Sequence, residues 1–287
     1  MPPPNSSRVS VAYHSAAGGT RLVAELLAEL LAAEYDAQPV DIHAAGAAAA
    51  VNAADFTVLC YPTYFLRPSL SMQEFISRLE PDDRPRRVFL VTTYELYTEN
   101  CLRACARLVK DKGMTVLGTA AVRAPGSDLT CVFPDWLCPW LYRFEKGLGT
   151  KLSAIAGEIR ASARNGGQER IPRPKWYTPF AQVLQHGFLN SFFEWRNRIR
   201  VIPERCSACG ACVSGCARGG WIKEGEEMRH DPERCELRTR CIHHCPRNAI
   251  VLSPRLKDNR RLDPRLYARL KAEARSALAR PWQGNVQ

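Results

Sequence analysis

Seven cysteines fall between positions 206 and 245 of this 287-residue chain, and the first four, Cys206, Cys209, Cys212 and Cys216, are spaced C-x2-C-x2-C-x3-C. Three thiols two residues apart on a looping chain can point at three corners of one iron–sulfur cubane, while the fourth, three residues on, points toward a second cluster. Four cysteines within eleven residues do not suit zinc, whose structural sites draw on two separated pairs around one tetrahedral ion. The second group, Cys235, Cys241 and Cys245 followed by Pro246, fits the same spacing with one gap, because position 238 holds Arg238. The N-terminal MPPPNSS has no positive region ahead of an apolar block, so a reducing, cytoplasmic setting is expected, and cysteine crowding there points to metal.

The first 165 residues read differently. Strand-like runs at Arg8–Tyr13, Val40–Ile42, Phe56–Tyr61, Arg87–Thr93 and Thr115–Val122 alternate with helical patterns at Thr20–Glu34, Leu70–Leu79, Asn100–Lys112 and Arg143–Arg164. Such alternation predicts an α/β domain with a five-stranded, doubly wound parallel sheet whose ligand loops share the carboxyl edge of the strands. The alanine-rich stretch Ala44–Ala54 reads as helix or loop. Cys60, Cys101, Cys105, Cys131 and Cys138 are scattered through this half and are expected to behave as small buried hydrophobes.

A glycine- and proline-containing linker, Asn165–Trp176, separates the two regions, and the aromatic stretch Tyr177–Arg200 reads as a helix packing one domain on the other. The most hydrophobic helical stretch, Leu22 to Ala33, is interrupted by Glu25 and Glu29, so no membrane span is expected. The net charge of +11 is uneven: residues 160–200 carry eight basic against two acidic groups, and residues 253–287 nine against three. Arg255, Lys257, Arg260, Arg261, Arg265, Arg269, Lys271 and Arg275 could therefore form a surface for an acidic redox partner protein; nucleic acid is the less favoured partner.

Residues 200–253 resemble a bacterial two-cluster ferredoxin, a small α+β iron–sulfur domain. The resemblance implies crossed ligation, with Cys206, Cys209, Cys212 and the remote Cys245 on a first [4Fe-4S] cluster. Cys235, Cys241 and the remote Cys216 would serve a second, one iron of which lacks its usual thiolate at Arg238. A [3Fe-4S] cluster, a [4Fe-4S] cluster with an open or non-cysteine corner, and no stable second cluster all fit that gap. His243 and His244 are near enough in sequence to be substitute ligands, although a surface role is the commoner one for each. Ala217 stands where the family has proline after Cys216.

The loop Ser15-Ala16-Ala17-Gly18-Gly19-Thr20 after the first strand, together with Pro62-Thr63-Tyr64 and Thr93-Tyr94-Glu95 after two later strands, resembles flavodoxin. That resemblance covers about residues 8–164. It implies that Ser15, Ala17, Gly18, Gly19 and Thr20 cradle the phosphate of FMN, with Pro62, Thr63, Tyr64, Thr93, Tyr94 and Glu95 around the ring. Ala17 replaces a threonine hydroxyl, and Glu95-Leu96 replace glycines; a flavodoxin fold without FMN is the alternative.

The whole chain thus resembles the flavodoxin/ferredoxin hybrid family. The expected layout is a flavodoxin-like FMN domain at 1–164, a linker and interdomain helix at 165–199, a ferredoxin-like iron–sulfur domain at 200–253 and a basic helix or tail at 254–287. The function this implies is electron transfer between FMN and clusters on behalf of another oxidoreductase, with no catalytic acid–base residues. Two alternatives stand beside it: a reductase acting on a small substrate, and a basic binding module with structural clusters.

Overall fold

In Arg8–Tyr13 (β1), Val9, Val11 and Tyr13 face one way and Ser10 and Ala12 the other, and all five are buried. Burial on both faces marks a strand inside a parallel sheet covered by helices on each side. The computed structural model describes residues 7–80, 86–95, 98, 100–125, 127, 131, 147–164, 169–173, 183, 187, 194–258, 261–262 and 264–279. In it β1 is followed by α1 (Gly19–Leu31), β2 (Asp36–Asp41), α2 (Ala47–Asn52), β3 (Phe56–Tyr64), β4 (Arg67–Pro68) and α3 (Leu70–Arg78). Then come β5 (Arg87–Tyr94), α4 (Cys101–Asp111), β6 (Thr115–Arg123) and α5 (Leu148–Arg164). The sheet runs β2-β1-β3-β5-β6 with every neighbour in that order parallel, and β4 pairs antiparallel with the end of β3. With β4 set aside, this is the flavodoxin-like strand order.

Each face of the sheet has its own core. Val9, Val11, Val58, Phe89 and Val91 pack with Leu26 of α1 and Leu152 and Ile159 of α5. On the other face Leu59, Tyr61, Val88 and Leu90 meet Met72, Phe75 and Ile76 of α3 and Val109 of α4. Shortening any of these leucines to alanine would cost about 2–5 kcal/mol.

Three places refine the sequence reading. β2 runs from Asp36 rather than Val40, because an edge strand buries little; only Ala37 is buried, and the edge tolerates Pro39. β3 continues to Tyr64 and turns back through Phe65 and Leu66, both at positive φ (48° and 63°), to pair Thr63 with Pro68 and Tyr64 with Arg67. Within Ala44–Ala54, residues 47–52 are helical. The start of the helix expected at Arg143 and most of the aromatic stretch Tyr177–Arg200 lie outside the described residues, as does Cys138.

The second unit is built from short pieces. β7 (Arg200–Val201) pairs antiparallel with β10 (Ile250–Val251), and β8 (Trp221–Glu224) forms a hairpin with β9 (Glu227–His230). Between them lie α6 (Ala211–Ser214) and α7 (Arg240–His244). Ile199, Trp221, Met228, Leu237, Ile242, Ile250 and Leu252 form a small core, with cysteines and Phe65 packed against it.

The two units meet at the carboxyl edge of the large sheet. Glu236 accepts hydrogen bonds from the Ser71 backbone N–H (3.1 Å) and hydroxyl (2.7 Å), and Arg218 grips Glu74 with two bonds of 2.8 and 2.9 Å. Arg240 donates to the Ala16 carbonyl (2.8 Å). The chain then returns through α8 (Pro264–Ala279), whose Tyr267, Leu270 and Ala274 join the core beside α1. Lys271 pairs with Glu25, and Arg275 with Glu29. Among the described residues no helix is long and apolar enough to cross a membrane.

Candidate functional site

The loop entering α6 places Ala208 and Gly210 at positive φ, and Lys223 ties it by donating to the Ala208 carbonyl (2.9 Å). This curvature brings Cys206, Cys209 and Cys212 to the wall of one small cavity of about 20 Å³, and α7 delivers Cys245 to the same cavity from the far end of the unit. Cys209 is exposed. The Ala249 N–H donates to Cys245 Sγ at 3.2 Å.

Cys216, Cys235 and Cys241 form a separate neighbourhood. Cys216 and Cys235 both lie near enough to raise the Cys241 thiol, and Cys216 near enough to raise that of Cys235. Gly220 N–H donates to Cys216 Sγ (3.2 Å), Leu237 N–H to Cys235 Sγ (3.3 Å), and the Trp221 side chain hydrogen-bonds Cys241. Burial pushes the Cys235 thiol up to about 11 and the Cys241 thiol up to about 12. Metal binding here would have to release those protons.

Among the described residues no three histidine, cysteine, aspartate or glutamate side chains converge closely enough to hold a single metal ion. A cubane interposes its own iron and sulfide between its thiolates, so its ligands stand farther apart than those of one ion. Thiols around a shared space, with backbone N–H groups aimed at sulfur, fit that chemistry.

Arg238, in the position of the missing thiol, is buried, with its Nε 3.9 Å from Glu236 Oε2. Leu237 and Thr239 on either side have positive φ, and Thr239 bonds the Arg238 carbonyl through its hydroxyl. The Arg238 charge acts in two directions, on Cys235 and on the paired histidines His14 and His43 of the first unit. His14 Nδ1 and His43 Nε2 are 2.9 Å apart, and burial, reinforced by Arg238, His43 and Arg218, holds His14 well below the ordinary histidine range.

A surface role does not describe His243. It is buried, its Nδ1 accepts from the Leu262 N–H (3.1 Å), and its Nε2 therefore carries the proton and donates to the Ser127 carbonyl (2.6 Å). Both ring nitrogens are committed, which leaves none for iron. His244 is exposed and bonds the Arg240 carbonyl through Nδ1.

At the sheet edge, Gly18 (φ 115°) precedes α1, and a Cβ there would lie 2.9 Å from the ring of Tyr267, so only glycine fits. No side chain caps α1, and the first turn holds no acidic residue. The Ser15 hydroxyl accepts from Gly18 N–H (3.2 Å), while Thr20 and Thr93 join hydroxyl to hydroxyl at 2.7 Å. A helix start without a side-chain cap, with hydroxyls nearby, fits a phosphate. Ala17, beside them, adds no hydroxyl. Thr63 bonds Thr92 (2.8 Å), Pro62 is buried, and Tyr64, Tyr94 and Glu95 are partly exposed around the same edge. Arg123 donates to the Glu95 carbonyl (3.1 Å).

Cys60, Cys101 and Cys105 are fully buried in the sheet cores, and burial raises each thiol, that of Cys101 to about 12. Cys131 is also buried, 3.4 Å from His243 Nε2. The basic tail is less free than its sequence suggests, since Lys271 and Arg275 are engaged by α1. Sequence reasoning missed the interface residues Glu236, Arg218, His14 and Phe65. It also missed Tyr267, although Tyr267, Leu270 and Ala274 mark an apolar helix face within the basic run.

No protein-family model matches the chain, and a search of curated proteins returns no relative. Among solved structures, two-electron reduced Megasphaera elsdenii flavodoxin is 21% identical, covering 52% of this chain and 98% of its own, with a TM-score of 0.37. A Streptococcus pneumonia TIGR4 flavodoxin is 17% identical over 54% of this chain and 99% of its own (TM-score 0.41). A flavodoxin, WrbA-like protein from Agrobacterium tumefaciens is 20% identical over 56% and 99% (TM-score 0.39). The flavodoxin-like class of the first unit rests on its strand order and parallel register rather than on these likenesses.

Proposed function

We propose that this chain relays electrons between FMN, held at the carboxyl edge of the large sheet, and iron–sulfur clusters held by the two cysteine sets, in the service of another oxidoreductase. The observation that carries the reading is the sorting of seven cysteines into a set of four and a set of three, within a unit docked on the sheet edge. The set of four includes Cys245, 33 residues beyond Cys212, and matches the first-cluster ligands that the resemblance implies. When bound, FMN supplies one- or two-electron exchange and each cluster one-electron exchange.

The residues of the chain hold and orient these groups. Ser15, Gly18, Gly19 and Thr20 offer the phosphate hydroxyls and the start of α1. Pro62, Thr63, Tyr64, Thr93, Tyr94 and Glu95 border the ring. The turn at Phe65 leaves the flavin loop and packs against the core of the iron–sulfur unit, so the two redox regions share a wall. Cys216, Cys235 and Cys241 take the second cluster, as [3Fe-4S] or as [4Fe-4S] with one iron lacking a thiolate. Closed surroundings at Leu237, Arg238 and Thr239 favour a relay over direct substrate chemistry there.

The test is anaerobic purification of the full chain, quantification of iron, sulfide and flavin, and low-temperature EPR. Two distinguishable cluster signals with bound flavin are expected. Protein without iron defeats the reading; iron without flavin restricts it to the second unit.

A further inference from the structure

Arg261 belongs by sequence to the basic tail, but its position sets it apart from a docking surface. The neighbouring Leu262 is buried, and its N–H donates to His243 Nδ1, pinning this segment on α7 between the two cysteines that α7 carries or precedes, Cys241 and Cys245. The guanidinium Nε and Nη2 of Arg261 are buried and have no hydrogen-bond partner among the described residues. Cys131, Cys245 and Cys241 are the cysteines near enough to act on its charge. Two of these belong to different cysteine sets. A buried guanidinium with idle N–H groups is a costly arrangement unless acceptors arrive. Beside these cysteines, the acceptors with matching charge are thiolate and sulfide.

We propose that Arg261 is a charge-compensating residue shared by both iron–sulfur sites, donating buried N–H groups to their sulfur and favouring their reduced states. This rests on the electron-relay reading above. Each reduction adds one electron, supplied by the redox partner, and no bond forms or breaks; the fixed cation stabilises the added negative charge. Hydrogen bonds to sulfur and nearby charge are established levers on cluster potential. Arg261 is thus a positioning residue of the redox centres, and its site between the sets would move both potentials together.

The experiment is a potentiometric titration of the anaerobically purified full chain with a low-potential chemical reductant, each cluster followed by EPR. In Arg261→Gln both midpoints should fall, each by at least the roughly 59 mV that a tenfold change in a one-electron equilibrium represents. Iron and sulfide content should stay at the parent level. Arg261→Lys, which keeps the charge but not the planar fork, should recover part of the shift. Arg269→Gln, exposed on α8, should shift neither cluster. Unmoved midpoints in Arg261→Gln, or equal shifts in Arg269→Gln, overturn the proposal. Should the glutamine variant lose iron, the lysine variant decides: midpoints below the parent support the assignment and parent midpoints overturn it. A parent protein free of iron defeats the relay reading instead, a failure seen before any variant is made.

Discussion

The set of four cysteines and the set of three differ in what surrounds them, although only Cys209 among the seven is exposed. Cys209 is exposed and the cavity it shares with Cys206, Cys212 and Cys245 opens at the surface. Around Cys235 and Cys241 the chain is enclosed, with Glu236, Leu237, Arg238 and Thr239 exposed by only 2–7%. The outer set faces what comes from solution, and the inner set faces the flavodoxin-like unit. The position where the resemblance expects a thiol lies on the inner side, where Arg238 is a cation whose charge acts on Cys235 and on His14. Where the ferredoxin resemblance expects a thiolate, the chain places a buried cation at the interface.

The comparison breaks most decisively by removing one remote ligand at a time. Cys245→Ser should abolish the EPR signal of the outer site and spare the inner one, and Cys216→Ser should do the reverse. Loss of the same signal in both variants would disprove the crossed sorting. Next in size, Arg238→Cys should complete the inner set, raising iron content by about one per chain if the parent site is [3Fe-4S] and changing its EPR type in any case. An unchanged spectrum would mean position 238 does not face the cluster.

Glu236→Gln should weaken the inner side selectively. It replaces one oxygen of a buried carboxylate clamped on Ser71 and leaves Arg238 without its nearest anion, so chemical denaturation should show a loss of about 2 kcal/mol. The outer signal should persist. The smallest effect is acid sensitivity at the same interface. His14 is neutral in the fold because burial holds its pKa well below the ordinary value, whereas the unfolded chain takes up a proton below about pH 6.5. The folded state then binds fewer protons, so stability is full above that pH and declines below it, by up to about 1.4 kcal/mol per pH unit. His230, held near 4 mainly by burial, adds in the same direction. Denaturation midpoints at pH 7.5 and 5.5 measure this, and His14→Gln should flatten the slope.

Much of the fold could be read from the chain because buried strands announce themselves. Phe56–Tyr61 and Arg87–Thr93 are apolar on both faces, as a covered parallel sheet requires, and their positions agree with β3 and β5. The edge strand β2 was harder to locate, since Asp36, Gln38 and Asp41 carry no apolar rhythm. The cysteine spacing identified the candidate ligands, but the enclosure of one set and the openness of the other depend on contacts between residues far apart. Glu236 with Ser71 and Arg218 with Glu74 are separated by 165 and 144 positions, and no local pattern announces either. Arg261 and Tyr267 were obscured by their company in a basic run, where charge suggested solvent for residues that turn inward.

The return of α8 to α1 has a mechanical consequence. The cysteine-rich unit is an excursion that departs after α5 and comes home to the same side of the sheet, so it is tethered at both ends. Swinging it away from the sheet edge would require peeling off α8 as well as opening the interface. Such a chain should hold its sheet edge and its cysteine sets at a fixed separation, as a clasp does, rather than let one unit swing as a domain on a single leash would.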